Sequence, residues 1–391
     1  MKKLAILSTH PIQYNAPLFA LLAEKGEFEL RIFYTWGENA VKPKFDPDFG
    51  KVIEWDIPLL EGYSYQFLKN VAKDSGSHHF LGIDNPHLIH DIEEWGADVV
   101  WIWGWSFKSH LKALRYFHGK ISVWFRGDSV SLSSSTGLKS FIRRVFLKWV
   151  YSHVDLAFYV GEHNKNYFIE NGLDSDQLVL ASHAVDNDRF NNSPISNDEL
   201  GQFRSSLGFS ENDFVVLFAG KLEPRKNPFY LKEIWENITS ANVKLLFVGN
   251  GRLEHELKAV CKNDDRIQFL DFQNQTQMPK LYQSCNALIL PSVSETWGLT
   301  INEAMASGIP VLASEKCGGA IDLIQDDCGF IFPLNDPQLL ANTIENWHDD
   351  EELYKNLKIN AKQRIKEFSY EKIVEAVNQQ MRKQFPLEQS L

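Results

Sequence analysis

The strongest constraint on this chain is an alternation, made twice over, of short continuous apolar runs with helical patterns. In the first half the runs are Leu4–Leu7, Leu30–Tyr34, Val99–Trp103, Ile121–Phe125 and Leu156–Val160. A strand that is apolar at every position, rather than at every second one, is covered on both faces. Such strands, separated by helix-length segments, predict a parallel sheet with helical crossovers. Ala16–Ala23 is the first of those helices, with Pro17 in its opening turn. The pattern stops at the polar stretch Asn191–Glu199 and then restarts. The second set of runs is Val215–Phe218, Lys244–Val248, Ile267–Leu270, Ala287–Leu290 and Pro310–Ala313. Helices over Leu253–Cys261 and Met278–Ser284 lie between them, and further helices over Pro337–Asn346 and from Tyr370 to about Phe385 close the chain. The reading is α/β, with two successive domains over residues 1–190 and 191–369. Residues 43–85 carry no clear period, and read as a functional loop region or as strands that pattern alone does not place.

Composition narrows the partners. Lys and Arg number 40 and Asp and Glu 51, a formal net charge of −11. A general nucleic-acid binder needs a net basic face, so no nucleic-acid partner is expected. Four cysteines, Cys261, Cys285, Cys317 and Cys328, form neither a CxxC pair nor a zinc-type grouping. Buried thiols in a reducing compartment are the expectation. The first residues hold only a short apolar run, and no stretch of about 18 apolar residues occurs anywhere. A cytoplasmic location is therefore expected, with docking at the inner face of the cell membrane left open.

The chemistry concentrates in the second half. A buried run ends at Leu290, a loop carries Glu295, and a helix begins near Gly298 and ends before Gly308. Glu295 would then sit at the carboxyl edge of the sheet and Glu303 in the second helical turn, both able to face the crevice where open α/β sheets bind ligands. The first amides of that helix, at Gly298, Leu299 and Thr300, form an anion site. Carboxylates accept hydrogen bonds from sugar hydroxyls and the amides hold phosphate, so one loop can grip both ends of a sugar nucleotide. After the first strand of this domain comes Gly220-Lys221-Leu222-Glu223-Pro224-Arg225-Lys226. Gly220 permits a tight exit, and Lys221 and Lys226 place two cations where a departing diphosphate gains charge. The plainer alternatives stay open: solvated charges on a loop, a helix and a basic turn. Gly249-Asn250-Gly251 reads as a structural turn.

Taken together, Gly-Lys-Leu-x-x-x-Lys, Gly-Asn-Gly and Glu295-Thr-Trp-Gly-Leu-x-x-x-Glu303-Ala-Met-Ala-x-Gly-x-Pro-Val resemble the retaining glycosyltransferases of family 4, also called group 1, with the GT-B fold. The resemblance is dense from about Val185 to Pro333 and looser before it. It implies two Rossmann-like domains with parallel sheets facing a central cleft, the donor in the second domain and the acceptor in the first. It also implies a final helix, about 370–391, crossing back to the N-terminal domain. By resemblance, Glu303 binds the ribose, Glu295 contacts the donor sugar near the reacting centre, and Lys221 and Lys226 bind the diphosphate. The segment Trp297–Thr300 holds sugar and phosphate, and Phe272 and Gln273 meet the nucleobase. Lys221 departs from the Arg usual there, which gives up bidentate geometry but keeps the charge.

The first half departs further from the family. The loop after the first strand, Thr9-His10-Pro11-Ile12-Gln13-Tyr14, lacks the usual glycines. His10 and Gln13 are candidates for acceptor hydroxyls, or His10 for proton transfer; a packing role stands equally open. Where relatives have His after the next strands, this chain has Trp103 and Arg126-Gly127-Asp128. Arg126 is read as a site residue pairing with phosphate or an acidic acceptor, with Asp128 beside it, against a structural salt bridge between the two. Trp103 and Trp105 can stack on sugars or pack in the core. Residues 136–150 form a basic amphipathic helix, read either as a membrane-surface contact or as an ordinary packed helix.

The resulting expectation is a retaining glycosyltransferase moving sugar from a nucleotide-diphosphate donor to a glycan or lipid-linked acceptor, in synthesis of surface polysaccharide or glycoconjugate. No cofactor is expected beyond the nucleotide sugar. No metal is expected either, since Asp46/Asp48, Asp174/Asp176 and Asp186/Asp188 do not follow apolar strands in the manner of a metal-binding Asp-x-Asp. The alternative is a non-catalytic sugar-nucleotide or glycan-binding protein on the same scaffold. A nicotinamide-dependent dehydrogenase is disfavoured, because no GxGxxG follows a strand.

Overall fold

A computed structural model of the chain describes residues 1–41, 44–46, 51–131, 137–191, 195–325 and 327–386. Thr136 at the head of the basic helix, Asp48, residues 192–194 of the polar stretch and residues 387–391 lie outside the described residues. The strands are β1 (Lys3–Ser8), β2 (Glu29–Tyr34), the short pair β3 (Lys44–Asp46) and β4 (Lys51–Ile53), β5 (Tyr65–Phe67), β6 (Val99–Trp103), β7 (Ser122–Arg126), β8 (Leu156–Tyr159) and β9 (Leu178–Leu180). The second set is β10 (Phe214–Ala219), β11 (Val243–Val248), β12 (Ile267–Leu270), β13 (Ala287–Leu290), β14 (Val311–Ser314) and β15 (Gly329–Phe332).

Two compact units result. The first comprises Met1–Lys42, Pro58–Ser182 and Tyr370–Leu391, and the second Pro43–Ile57 and His183–Ser369. The first unit holds a seven-stranded sheet in the order β5-β2-β1-β6-β7-β8-β9. The second holds a six-stranded sheet in the order β12-β11-β10-β13-β14-β15. Every pairing in both sheets is parallel. This is the doubly wound arrangement that the apolar runs predict. The central strands are dry: Leu4 to Leu7, Val99 to Ile102 and Val215 to Phe218 are all 0% exposed. In each sheet the chain builds outward from the first strand, then returns to its other side. The reversal falls between β1 and β6 in the first unit and between β10 and β13 in the second.

The division between units differs from the expected one at residue 190. Residues 183–190 belong to the second unit because their polar groups are tied into it. Asn302 Nδ2 donates to the His183 carbonyl (3.1 Å), and the Arg189 guanidinium donates to Gln275 at 2.7 and 2.8 Å. Gln283 Nε2 donates to the Phe190 carbonyl (2.7 Å), and the Phe190 ring, 0% exposed, packs on Tyr282. Part of the polar stretch is a helix start: in Asn197–Ser206, Ser196 and Glu199 form a reciprocal capping box. Residues 43–57 also join the second unit. Asn274 Nδ2 donates to the Glu54 carbonyl (2.6 Å), and the Thr276 amide donates to the Asp56 carboxylate (3.2 Å).

The last helix, Tyr370–Gln384, belongs to the first unit. Its amphipathic face buries Ile373, Val374, Val377 and Met381. Tyr370 hydroxyl donates to the Tyr14 carbonyl (2.9 Å), and Arg382 pairs with Glu27. A further helix, Glu351–Arg364, is not evident from the sequence, since it buries only Leu357 and Ala361.

Candidate functional site

The second unit brings Lys226 and Glu295 together at its topological reversal. Lys226 ends the one-turn helix Pro224–Lys226, on the loop after β10; Glu295 lies on the loop after β13. Because β10 and β13 are hydrogen-bonded neighbours, their following loops emerge side by side at the carboxyl edge. Lys226 Nζ donates to Glu295 Oε2, and the two side chains are 13% and 12% exposed. The Val293 amide donates to the Arg225 carbonyl (2.9 Å), stitching the loops together through their backbones.

Glycines set how closely the neighbouring loops approach. A Cβ at Gly249, whose φ is +126°, would lie 2.2 Å from the Gly220 carbonyl oxygen; one at Gly251 would lie 2.5 Å from that of Leu222. Gly-Asn-Gly thus braces the lysine-bearing loop. Asn250, 5% exposed, donates to Glu254 (2.9 Å) and Asp271 (3.1 Å) and accepts from the Phe272 amide (3.0 Å). Phe272 is thereby fixed by its backbone, its ring 6.4 Å from that of Trp55, and Gln273 Nε2 donates to the Asp271 carbonyl (3.0 Å). Lys221 and Gly220 are half-buried on the same loop as Lys226.

The loop bearing Glu295 is braced from its other side by residues 314–319, which the sequence reading passed over. The Glu295 amide donates to the Lys316 carbonyl (3.1 Å), and the amides of Gly318 and Gly319 donate to the carbonyls of Glu295 (2.9 Å) and Trp297 (3.0 Å). A Cβ at Gly318 would lie 2.2 Å from the Thr296 carbonyl oxygen. The Cys317 thiol, 1% exposed, is pushed up to about 11 by burial. The signal available in the sequence was the pair Gly318-Gly319 directly after a strand and turn.

The helix Leu299–Ala306 begins after Gly298, which adopts a left-handed φ of +96°. Its first amides, at Leu299 and Thr300, precede any intrahelical acceptor. Two buried hydroxyls, Ser292 Oγ on the loop before this helix and Thr300 Oγ1 in its first turn, have no hydrogen-bond partner among the described residues. Buried polar atoms of that kind are uncommon and tend to mark functional segments.

Two of the expected donor-site residues are buried. Glu303 is 1% exposed, and its Oε2 accepts from the Tyr282 hydroxyl (2.7 Å) on the helix Met278–Gln283. Trp297 is 3% exposed, with its ring packed in the core. Its Nε1 donates to Asn302 Oδ1 (2.8 Å), and a Cβ at Gly319 would lie 2.7 Å from its ring. Trp297 therefore acts by holding the loop in place.

In the first unit, the loop after β1 and the end of β6 likewise meet at the reversal, placing His10, Gln13 and Trp103 at one sheet edge. His10 Nδ1 lies 2.8 Å from Thr9 Oγ1, with its ring edge-on to Trp36 at 5.0 Å. Gln13 Oε1 and Trp103 Nε1 are buried with no hydrogen-bond partner among the described residues. Arg126 follows Trp103 across the sheet and is 5% exposed. It donates to the Ala181 carbonyl (2.7 Å) and lies 5.2 Å from the Trp103 ring centroid. Burial lowers its pKa to about 10, against the opposing effect of Asp128, so the cation persists at neutral pH. Its guanidinium ties β7 to the segment after β9. Asp128 is exposed. Trp105 packs on Phe146 at 5.4 Å. Sequence reading missed His110, 0% exposed, held by the Gly104 carbonyl and the Thr35 hydroxyl at 2.8 Å each. Of the Asp-x-Asp triplets, Asp174 caps a turn with Gln177 and Asp186 accepts from the Arg189 amide (3.0 Å).

Residues 201–364 match the family described as glycosyl transferases group 1. Over this segment, somewhat less than half of the chain, the sequence is similar to the group 1 glycosyl transferases. The matched segment contains both Lys226 and Glu295 and all six strands of the second sheet. An uncharacterized glycosyltransferase of Methanocaldococcus jannaschii is 31% identical over 174 residues, 42% of this chain and 44% of that one. The Escherichia coli UDP-Gal:alpha-D-GlcNAc-diphosphoundecaprenol alpha-1,3-galactosyltransferase is 29% identical over 190 residues, 46% of this chain and 48% of that one. The chain thus spans about half the length of the curated relatives it matches. Among solved structures, Anabaena HepE in complex with UDP aligns with a TM-score of 0.73 at 19% identity, over 98% of this chain and 99% of that one. The fold is that of GT-B glycosyltransferases, two Rossmann-like units each built on a parallel sheet.

Proposed function

We propose that this protein is a retaining glycosyltransferase of family 4 that moves a sugar from a nucleoside-diphosphate donor to a glycan or lipid-linked acceptor, without a metal or other cofactor. The observation that carries the reading is the Lys226–Glu295 pair at the reversal between β10 and β13, where parallel sheets bind ligands. A diphosphate arriving there would compete for Lys226 and leave the Glu295 carboxylate to accept from sugar hydroxyls. Lys221 and the first amides of Leu299–Ala306 would share the phosphate charge, which grows as the sugar–phosphate bond breaks. No side chain in the sequence is an evident nucleophile for a double displacement. The acceptor hydroxyl would therefore attack the face that the diphosphate leaves, its proton passing to the departing phosphate. Relatives point to UDP as the first base to try: HepE was solved with UDP, and the Escherichia coli relative is named for UDP-Gal. Product analysis with a panel of UDP- and GDP-sugars, with and without acceptor, tests the assignment. Transfer or slow hydrolysis supports it, and tight binding with no turnover favours the non-catalytic alternative.

The acceptor side of the proposal includes a peripheral contact with the inner face of the cell membrane. The helix Leu138–Tyr151 is anchored by Leu147, Val150 and Tyr151, all buried. It exposes Phe141 (65%), Ile142 (58%), Val145 (53%), Phe146 (39%) and Trp149 (40%). Lys139, Arg143, Arg144 and Lys148 lie on the same helix, which contains no acidic residue. Large apolar groups interleaved with cations on a chain of net charge −11 suit an anionic lipid surface. No helix among the described residues is long and apolar enough to cross a membrane.

A further inference from the structure

We propose that the first unit carries a surface site for a borderline divalent metal such as zinc, built from Asp74, His78 and His79 and separate from the glycosyl-transfer chemistry. The three ligand atoms lie within 4.8 Å of one another. His78 Nε2 and His79 Nε2 are each 3.1 Å from the same carboxylate oxygen, Asp74 Oδ2. Tetrahedral zinc with bonds near 2.0–2.1 Å spaces its ligands by about 3.3 Å, close to these separations. Two imidazoles and one carboxylate form a ligand set that suits zinc, nickel or cobalt over magnesium or calcium, and leave a fourth position for water.

The loop that displays them is closed by its own hydrogen bonds. Asn70 Nδ2 donates to Ser75 Oγ and to the Gly82 carbonyl, each at 2.9 Å. Asn70 Oδ1 accepts from the amides of Ala72 (3.1 Å) and Asp84 (2.9 Å), and the Gly76 amide donates to the Gly82 carbonyl (3.0 Å). A Cβ at Gly82 would lie 2.1 Å from the Gly76 carbonyl oxygen, so only glycine permits this closure. The loop is therefore ordered without metal, which lowers the entropic cost of capturing one. A plain ion pair is the weaker account. Asp74, His78 and His79 side chains are 75%, 63% and 35% exposed, where such pairs contribute little. His79 Nε2 also lies 3.0 Å from the Asp74 carbonyl oxygen, a backbone contact that a bound cation would replace.

The test uses the untagged full-length chain, stripped with chelator and titrated with zinc by calorimetry, with magnesium as the control. One zinc per chain is expected, with at least tenfold weaker binding in both D74N and H79A and no saturable magnesium binding. Unchanged melting temperatures of the metal-free variants would show that the fold survives. Zinc bound equally by wild type and both variants, or by none of them, overturns the proposal. The result is independent of transferase activity, which D74N and H79A are expected to retain.

Discussion

Lys226 and Glu295, 69 residues apart in the chain, form an ion pair that is almost closed to solvent, with side chains 13% and 12% exposed. Each loop alone would be a charged turn. Their pairing depends on β10 and β13 being neighbours, which is a property of sheet order.

The first prediction concerns that pair. Lys226→Ala should lower kcat/KM for the nucleotide sugar by about 10²–10³, the loss typical of removing one preorganised charge stabiliser. Glu295→Gln keeps the shape and a hydrogen-bonding oxygen, so it should bind donor while turning over poorly. Steady-state kinetics with product detection would check both. Wild-type turnover in Lys226→Ala would contradict the proposed role.

Tyr282 and Glu303 make the second pair worth testing. Glu303 is 1% exposed and takes a hydrogen bond of 2.7 Å from the Tyr282 hydroxyl. Tyr282→Phe removes that donor from a buried carboxylate and should cost about 1–3 kcal/mol of stability. Glu303→Ala should abolish transfer and also lower the melting temperature, since its loss opens space in the core. Chemical denaturation beside activity assays separates the two effects. A variant with normal stability and no transfer would mean that burial matters less than ligand contact.

Legibility in the sequence followed burial. Interior strands such as Val99–Trp103 and Ala287–Leu290 coincide with their apolar runs, because both faces are covered and every side chain must be apolar. The edge strands Tyr65–Phe67 and Leu178–Leu180 have three residues each and one open flank, too short for the pattern to single them out. Lys226 and Glu295 were legible because each follows such an interior strand. Arg126, the last residue of β7, and Trp297, on the loop after β13, lie where the sequence puts them, and both side chains are buried. Sequence spacing locates a residue at a sheet edge, yet does not say whether its side chain turns outward or back beneath the loop. Tyr282 was invisible as a partner because the helices that bring it to Glu303 are joined only by tertiary packing.

Arg126 provides the third prediction. Its guanidinium is 5% exposed and donates to the Ala181 carbonyl at 2.7 Å. Arg126→Met should therefore destabilise the first unit by about 1.5–3 kcal/mol, the range for a hydrogen bond to a charged group. Activity measured well below the new melting temperature should fall less than tenfold. A collapse of kcat without loss of stability would return Arg126 to the reaction itself.

His110 predicts a pH dependence. Complete burial lowers its pKa from 6.5 to about 4, so the folded protein keeps it neutral. Its Nδ1–H donates to the Gly104 carbonyl and its Nε2 accepts from Thr35. Between about pH 6.5 and pH 4 the unfolded chain binds a proton here that the folded chain refuses. Stability should thus be full above about pH 6.5 and fall as acid is added, by as much as roughly 3 kcal/mol at the low end. Urea unfolding of wild type and His110→Gln at pH 7.5 and pH 4.5 would isolate the effect. The stability advantage of wild type should shrink in acid; a constant gap would argue against it.

The last prediction concerns the helix Leu138–Tyr151. Its exposed Phe141, Ile142 and Val145 precede the buried Leu147, so the apolar groups point away from the first unit's core. Cations near an anionic membrane contribute about 1 kcal/mol each and fade within a Debye length, so binding should be salt-sensitive. Phe141→Ser with Ile142→Ser should weaken sedimentation with phosphatidylglycerol vesicles by at least tenfold, through lost apolar burial. Arg143→Glu with Arg144→Glu should do the same at low salt and should remove most of the salt dependence. Both pairs lie on the surface, so melting temperatures and transfer to a short soluble acceptor should stay near wild type. Equal binding to neutral phosphatidylcholine vesicles would exclude the electrostatic part. Vesicle binding unaffected by either pair of substitutions would place the membrane contact elsewhere on the chain.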